Sequence, residues 1–234
     1  MRVLRLPVFA VLLAMPAALH AQMEPVRSFG YAGITAQVAQ PVGQFADYVG
    51  TGWGLGGSFL LPFGRSPWFG LRADAGFVIY GYESRDVCFS QTVGCRVTLD
   101  LTTTNDILYA GIGPQLMLPL GPVQPYVNAA AQLSYFSTSS ALNGSDSYDS
   151  FANTTNFDDL TAAWSAGGGV SIALPIRRTQ VAIDVGARLH HNGVVRYLRE
   201  GDIQDNADGS ITLHPQRSEA NLVVYHIGVR IGVH

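Results

Sequence analysis

The chain has 234 residues and a formal net charge of −3; 47% of it is apolar, only 13% is charged, 26 residues are Gly, and every basic residue is Arg. A soluble domain usually carries about 25% charge and about 7% Gly, and a helical membrane bundle needs runs of about 18 apolar residues, whereas apolar stretches beyond the N-terminus break within about ten. The wealth of aromatic and aliphatic residues excludes disorder, and the acidic balance offers nucleic acid no basic field.

Arg2 and Arg5 precede an uncharged stretch from Leu6 to Leu19 that is followed by small residues. This is the three-part build of a secretory signal peptide, with cleavage expected after Ala21. Residues 1–21 are therefore an address and 22–234 the mature domain. Removal takes away two Arg and no acid, leaving 12 basic and 17 acidic residues, a net −5.

From residue 22 onward the dominant period is two rather than 3.6, which predicts strands. Weak alternation runs through 29–39 and 52–61. It strengthens from Phe69 to Tyr80, where Leu71, Ala73, Ala75, Phe77 and Ile79 oppose Arg72, Asp74 and Gly76. Cys88 and Cys95 follow in a polar stretch. They are the only cysteines, and in an oxidising compartment a disulfide is favoured over free thiols or a metal site, the latter needing more ligands nearby. A fourth segment spans 107–118. Asp106 falls on its apolar face, which implies either a strand already above the apolar zone or a bulge that shifts register.

In the fifth segment Val127, Ala129, Ala131, Leu133 and Tyr135 oppose Asn128, Gln132 and Ser134. A sixth covers 161–174. The seventh sets Val181, Ile183, Val185, Ala187 and Leu189 against Asp184, Gly186, Arg188 and His190. The eighth sets Val223, Tyr225, Ile227, Val229, Ile231 and Val233 against His226, Gly228 and Arg230.

The connections alternate in length. Short ones lie at 62–67, 119–123 and 175–179; long polar loops are expected at 82–97, 137–160 and 198–218, with 40–51 intermediate. Short turns on one side and long loops on the other are the pattern of a transmembrane up-and-down barrel. A soluble sandwich or lipocalin-like barrel would also alternate, but its water-facing side would need many charges. Here the non-apolar faces are mostly Gly, Ala, Ser, Asn and Gln, which suit a narrow eight-strand lumen. Trp53, Trp68, Phe69, Tyr80, Tyr82, Tyr126, Tyr135, Trp164, Tyr197 and Tyr225 collect near segment ends, as interfacial girdles require. The predicted fold is all-β: an eight-stranded antiparallel up-and-down transmembrane β-barrel.

Residues 28–234 resemble the small eight-stranded outer-membrane barrels of the OmpA/OmpX-like class. The most specific part is the last strand, where His226, Gly228, Ile231 and Val233 can be laid on the family's assembly signal; His234 departs from it, since such strands usually finish on Phe or Trp. The resemblance implies a bacterial outer-membrane location, contact with outer-membrane lipids including lipopolysaccharide, and passage through the outer-membrane assembly machinery.

The inward faces carry Arg72, Asp74, Asp184, Arg188 and Arg230. The third and seventh strands of such a barrel lie on opposite walls, so these charges can pair across the lumen, and a buried charge needs a partner. A salt-bridged plug is favoured over an ion gate. His190 and His226 share an inward face with Asn128 and Gln132, but neither a third metal ligand nor a nucleophile accompanies them. No cofactor, metal or catalytic set is expected. The binding surface is expected in the loops 137–160 and 198–218, because loops on a rigid scaffold carry function. Asp202, Asp205 and Asp208 lack the spacing of a calcium loop. The sequence reads as a monomeric, non-enzymatic barrel with a structural or adhesive role; a narrow channel and a lipid-modifying enzyme are the alternatives.

Overall fold

The structure, a computed structural model, describes residues 28–64, 68–88, 98–144, 150–176, 179–199, 201–206 and 210–233. The proposed signal peptide and Cys95 lie outside the described residues, as do the side chain of Cys88 and His234.

Eight strands close into one antiparallel ring: β1 (Gly30–Pro41), β2 (Gly52–Pro62), β3 (Phe69–Cys88), β4 (Thr98–Met117), β5 (Val123–Gly144), β6 (Ser150–Leu174), β7 (Val181–Asn192) and β12 (Leu222–Val233). Each pairs with its sequence neighbour, and β1 meets β12 in an unbroken ladder from Gly30↔Val233 to Pro41↔Leu222. The remaining strands, β8 (Val194–Tyr197), β9 (Ile203–Asp205), β10 (Ile211–Leu213) and β11 (Gln216–Glu219), fold the last long connection into two small sheets. We call the end holding Gly30, Val233 and the short turns the lower end.

The alternation read from the sequence is realised with the apolar residues outside. On β4 the outward residues Leu108, Ile112 and Leu116 are more than half exposed, and so is Leu118 just beyond the strand. At about 3.3 Å per residue and a tilt near 40°, the stretch from Leu108 to Leu118 rises about 25 Å, the height of a hydrocarbon layer crossed by a barrel. Ile34, Val127, Leu133, Val185 and Ile227 continue the band around the ring. Its upper limit is sharp. The outward row Leu108↔Tyr135↔Leu160 is followed one step higher by Asp106↔Ser137↔Asp158. Asp106 thus keeps its outward parity and accepts a hydrogen bond from the Ser137 hydroxyl at 2.8 Å. The strand has left the apolar zone there, and a bulge on its partner falls at the next step, between Ile79 and Gly81.

The expected long loop 137–160 is instead mostly strand, and so are the described residues of 82–97, namely 82–88. β3 and β4 stay paired up to Cys88↔Thr98, and β5 and β6 up to Asn143↔Ser150, so β3 to β6 rise well past the polar row as a four-stranded sheet. No apolar period marks these extensions because neither lipid nor core covers them; β-branched Thr98, Thr102, Thr103, Thr104, Thr154 and Thr155 supply β-propensity without burial.

Barrel closure depends on small inward residues. A side chain at Gly228 would run into the Ile34 carbonyl and the Thr35 backbone on β1, and one at Gly56 into the Gln37 amide. An eight-strand interior has room for little more than its own side chains.

Candidate functional site

The inward-facing residues make three storeys. At the lower end Leu60, Met117 and Tyr126 pack together with Tyr31 against them. Arg230 lies over the Tyr31 ring, 5.1 Å from its centroid, and its Nη2 donates to Gln124 Oε1 at 3.2 Å. Its Nε and Nη1 are buried without a hydrogen-bond partner among the described residues.

The middle storey is ionic. Asp74 on β3 receives Arg72 Nε at 2.8 Å from its own strand and Arg188 Nη1 at 2.9 Å from β7 on the opposite wall, all three nearly excluded from solvent. Arg188 Nη2 also reaches Asp74 Oδ1 at 3.3 Å, so the carboxylate is gripped by a guanidinium fork. Arg72 Nη1 donates to Gln115 Oε1 at 3.0 Å. Among the described residues no arginine holds Asp184: Tyr126 donates its hydroxyl to Asp184 Oδ2 at 3.2 Å, and His226 Nε2 stands 3.1 Å from the Tyr126 oxygen and 3.8 Å from that carboxylate oxygen.

The second histidine belongs to another chain of contacts. His190 Nδ1 lies 3.0 Å from Gln132 Nε2, its ring meets Tyr109 edge to face, and Tyr109 donates to Gln37 Oε1 at 2.8 Å. Asn128 stands in register with Gln115 and Gly167. Among the described residues no three His, Cys, Asp or Glu side chains cluster as metal ligands. A cavity of about 20 Å³ remains between Thr35, Asp74, Arg188, His190 and His226, room for one water molecule.

The upper storey is an aromatic cork. The 3-10 helix Gly43–Asp47 inserts Phe45, which is fully buried, between Tyr80, Phe136 and Tyr197 with ring centroids 5.0 to 6.4 Å away in edge-to-face contacts. Val195 and Leu198 are buried from above, and Tyr80 donates its hydroxyl to the Leu198 carbonyl at 3.3 Å. The Tyr197 and Ser218 hydroxyls share a hydrogen bond at 2.9 Å.

Three aromatics expected in a girdle are therefore inside: Tyr80, Tyr126 and Tyr197 are each at least 92% buried. They are needed there because polar lumen groups and the barrel mouth demand a filler that also hydrogen-bonds. Trp53, Trp68, Phe69, Tyr82, Trp164 and Tyr225 do face outward. Of the proposed assembly signal, Ile231 and Val233 face outward while His226 and Gly228 face the lumen.

One pair above the apolar band is electrostatically marked. Asp86 and Asp100 face each other across β3 and β4. Their shared hydrogen bond and mutual repulsion raise the Asp100 carboxyl above the usual carboxylate range.

No protein-family model and no curated protein matches the chain. Among solved structures it is similar to the neisserial surface protein A (TM-score 0.44, 18% identity, 88% of this chain and 97% of that one). It is also similar to a major outer membrane protein of Thermus thermophilus (0.41, 12%, 85% and 98%). A third is Ail, the attachment invasion locus protein of Yersinia pestis, solved with the heparin analogue sucrose octasulfate (0.39, 12%, 86% and 97%).

Proposed function

We propose that this chain is a monomeric bacterial outer-membrane barrel whose interior is closed and whose function is carried above the membrane, by the sheet of β3 to β6, in adhesion or partner binding. The observation that carries this reading is a division of labour. The apolar band ends at Leu108, Tyr135 and Leu160, while the same strands continue upward with polar faces. A charge-free outward band of that height is matched to hydrocarbon. A sheet that stands clear of it offers backbone and hydroxyl groups to a partner. Residues 137–144 and 150–160 belong to this sheet, and the described residues of 198–218 fold over the barrel mouth beside it.

A channel is disfavoured because both ends of the lumen are packed with apolar side chains and the middle is tied by ion pairs. A lipid-modifying enzyme is disfavoured because the two lumen histidines, His190 and His226, are enclosed, so a substrate has no route to them. Planar-bilayer recordings are expected to show no steady nanosiemens-scale conductance; a stable pore would sink the closed-lumen reading. Replacing 139–155 with a tight turn is expected to leave the unboiled barrel running faster than the boiled one on a detergent gel while abolishing attachment of expressing cells to epithelial surfaces. Undiminished attachment would remove the sheet from the mechanism.

A further inference from the structure

The lumen holds more positive than negative charge. Arg72, Arg188 and Arg230 are buried there, and only Asp74 and Asp184 answer them, a net charge of +1 among the described lumen residues. The surplus sits at mid-height. Asp74 is shared by two guanidinium groups, while Asp184 and Arg230 lie on adjacent strands, two residues out of direct register, and offset each other. A buried charge without a counter-charge is unfavourable.

The hydrogen bonds around the small cavity beside Asp74 carry the same imbalance. Asp74 Oδ1 accepts from Arg72 Nε and Arg188 Nη2, and Oδ2 lies 2.9 Å from Arg188 Nη1. Arg72 Nη1 is occupied by Gln115, which leaves Arg72 Nη2 and Arg188 Nε with no hydrogen bond among the described residues. Gln132 presents an amide N–H to His190 Nδ1, so the ring proton of His190 resides on Nε2 and makes a third donor. The Ser58 hydroxyl, on β2 directly opposite Asp74, is a fourth. Acceptors are scarce. Gln37 Oε1 already accepts from Tyr109, and Thr35 Oγ1 from Gln37 Nε2. Tyr126 donates to Asp184, so His226 Nε2 donates to Tyr126 and only the His226 Nδ1 lone pair is open. Arg72, Arg188, His190 and Ser58 all line that cavity. A water molecule there would have to donate as well as accept. A monatomic anion accepts from every side, and its contacts with guanidinium groups are charge-assisted.

We propose that this cavity binds one small monovalent anion of the chloride class, held by Arg72, Arg188, His190 and Ser58, which brings the lumen to neutrality. With room for little more than one water molecule, the cavity excludes sulfate and phosphate. The site goes beyond the role proposed above and takes from it only the closed lumen.

The test refolds the protein from urea in sodium bromide, so that the ion is enclosed as the barrel forms, and locates bromide by anomalous diffraction from crystals. One peak between Arg72 and Arg188 is expected; a lumen without a peak, or bromide on the outer surface only, overturns the proposal. In lipid vesicles, urea unfolding is followed at constant ionic strength while bromide replaces gluconate, which is too large to enter. Above saturation the folded-to-unfolded ratio is expected to rise about tenfold per decade of bromide, the mark of one ion taken up on folding. A ratio indifferent to bromide overturns the site. Arg188→Gln removes the surplus charge and is expected to abolish the dependence. Ser58→Ala leaves the ion pairs of Asp74 intact and is expected to shift the onset to about tenfold higher bromide, the effect of losing one hydrogen bond to a charge; an unchanged onset overturns the assigned ligand set. The two readings fail separately: steady conductance refutes the closed lumen and leaves a bromide peak standing, whereas an empty cavity refutes the site and leaves the lumen closed.

Discussion

The middle of the lumen and the cork above it fill the same barrel by opposite chemistry. In the middle, Asp74 joins two walls through Arg72 and Arg188, and each partner is useful only while the others are present. In the cork, Phe45 is surrounded by rings and aliphatic groups from loops and strand ends, so its contribution is spread over many weak contacts. The contrast teaches that stability against truncation is concentrated below and distributed above. A buried ion pair adds little over an apolar filling, yet removing one member leaves the rest uncompensated.

The sharpest way to break this contrast is Asp74→Ala, which leaves two buried guanidinium groups without their acid. Urea unfolding in lipid vesicles is expected to show a loss of about 3–5 kcal/mol; a loss under about 1 kcal/mol would mean that water already solvates the pair. Phe45→Ala comes next, at about 3 kcal/mol for a fully buried ring, with faster proteolysis within residues 42–51 and no conductance, because the ionic storey below stays shut. Gly228→Ala tests the wall that encloses both regions. A methyl group facing the Ile34 carbonyl forces β1 and β12 apart, at about 1–3 kcal/mol for overpacking, read as a weaker heat-modifiable band.

The smallest effect belongs to the Asp86 and Asp100 pair outside both regions. The folded sheet raises the Asp100 carboxyl, so the folded state holds the proton more tightly than the unfolded one. The pair therefore favours folding at low pH and loses that contribution as pH rises through the raised value. Hydrogen-exchange protection at the tips of β3 and β4, taken relative to intrinsic exchange at each pH, should fall from acid toward neutral pH in the wild type and stay level in Asp100→Asn.

The wall was legible because lipid on one side and a narrow lumen on the other impose a strict period of two. Val223 to Val233 and Val181 to Leu189 face outward as their alternation demands. Parity also held the clue to Tyr126: with Val127 outward, its neighbour must face in, although its place near a segment end suggested a girdle. The cork was not legible. Phe45, Tyr197 and Leu198 come from connections without period, and only the closed ring brings them over one mouth. The upward extensions of β3 to β6 escaped for the opposite reason, since strands polar on both faces leave no hydrophobic signature. The ion pair of Asp74 with Arg188 joins walls far apart in sequence; the residue types pointed to pairing, but which acid met which arginine awaited the register.

The ladder that joins Gly30 to Val233 has a temporal meaning. β1 finds β2 next to it in the chain but its other partner only in β12, so this ring cannot close before both of these distant strands are present. Until then β1 and the growing sheet keep unpaired edges, which invite pairing with other chains. Contacts of such long range are also slow to form. A chain built this way has to be held apart from its neighbours while it waits, and the final strand acts as the latch.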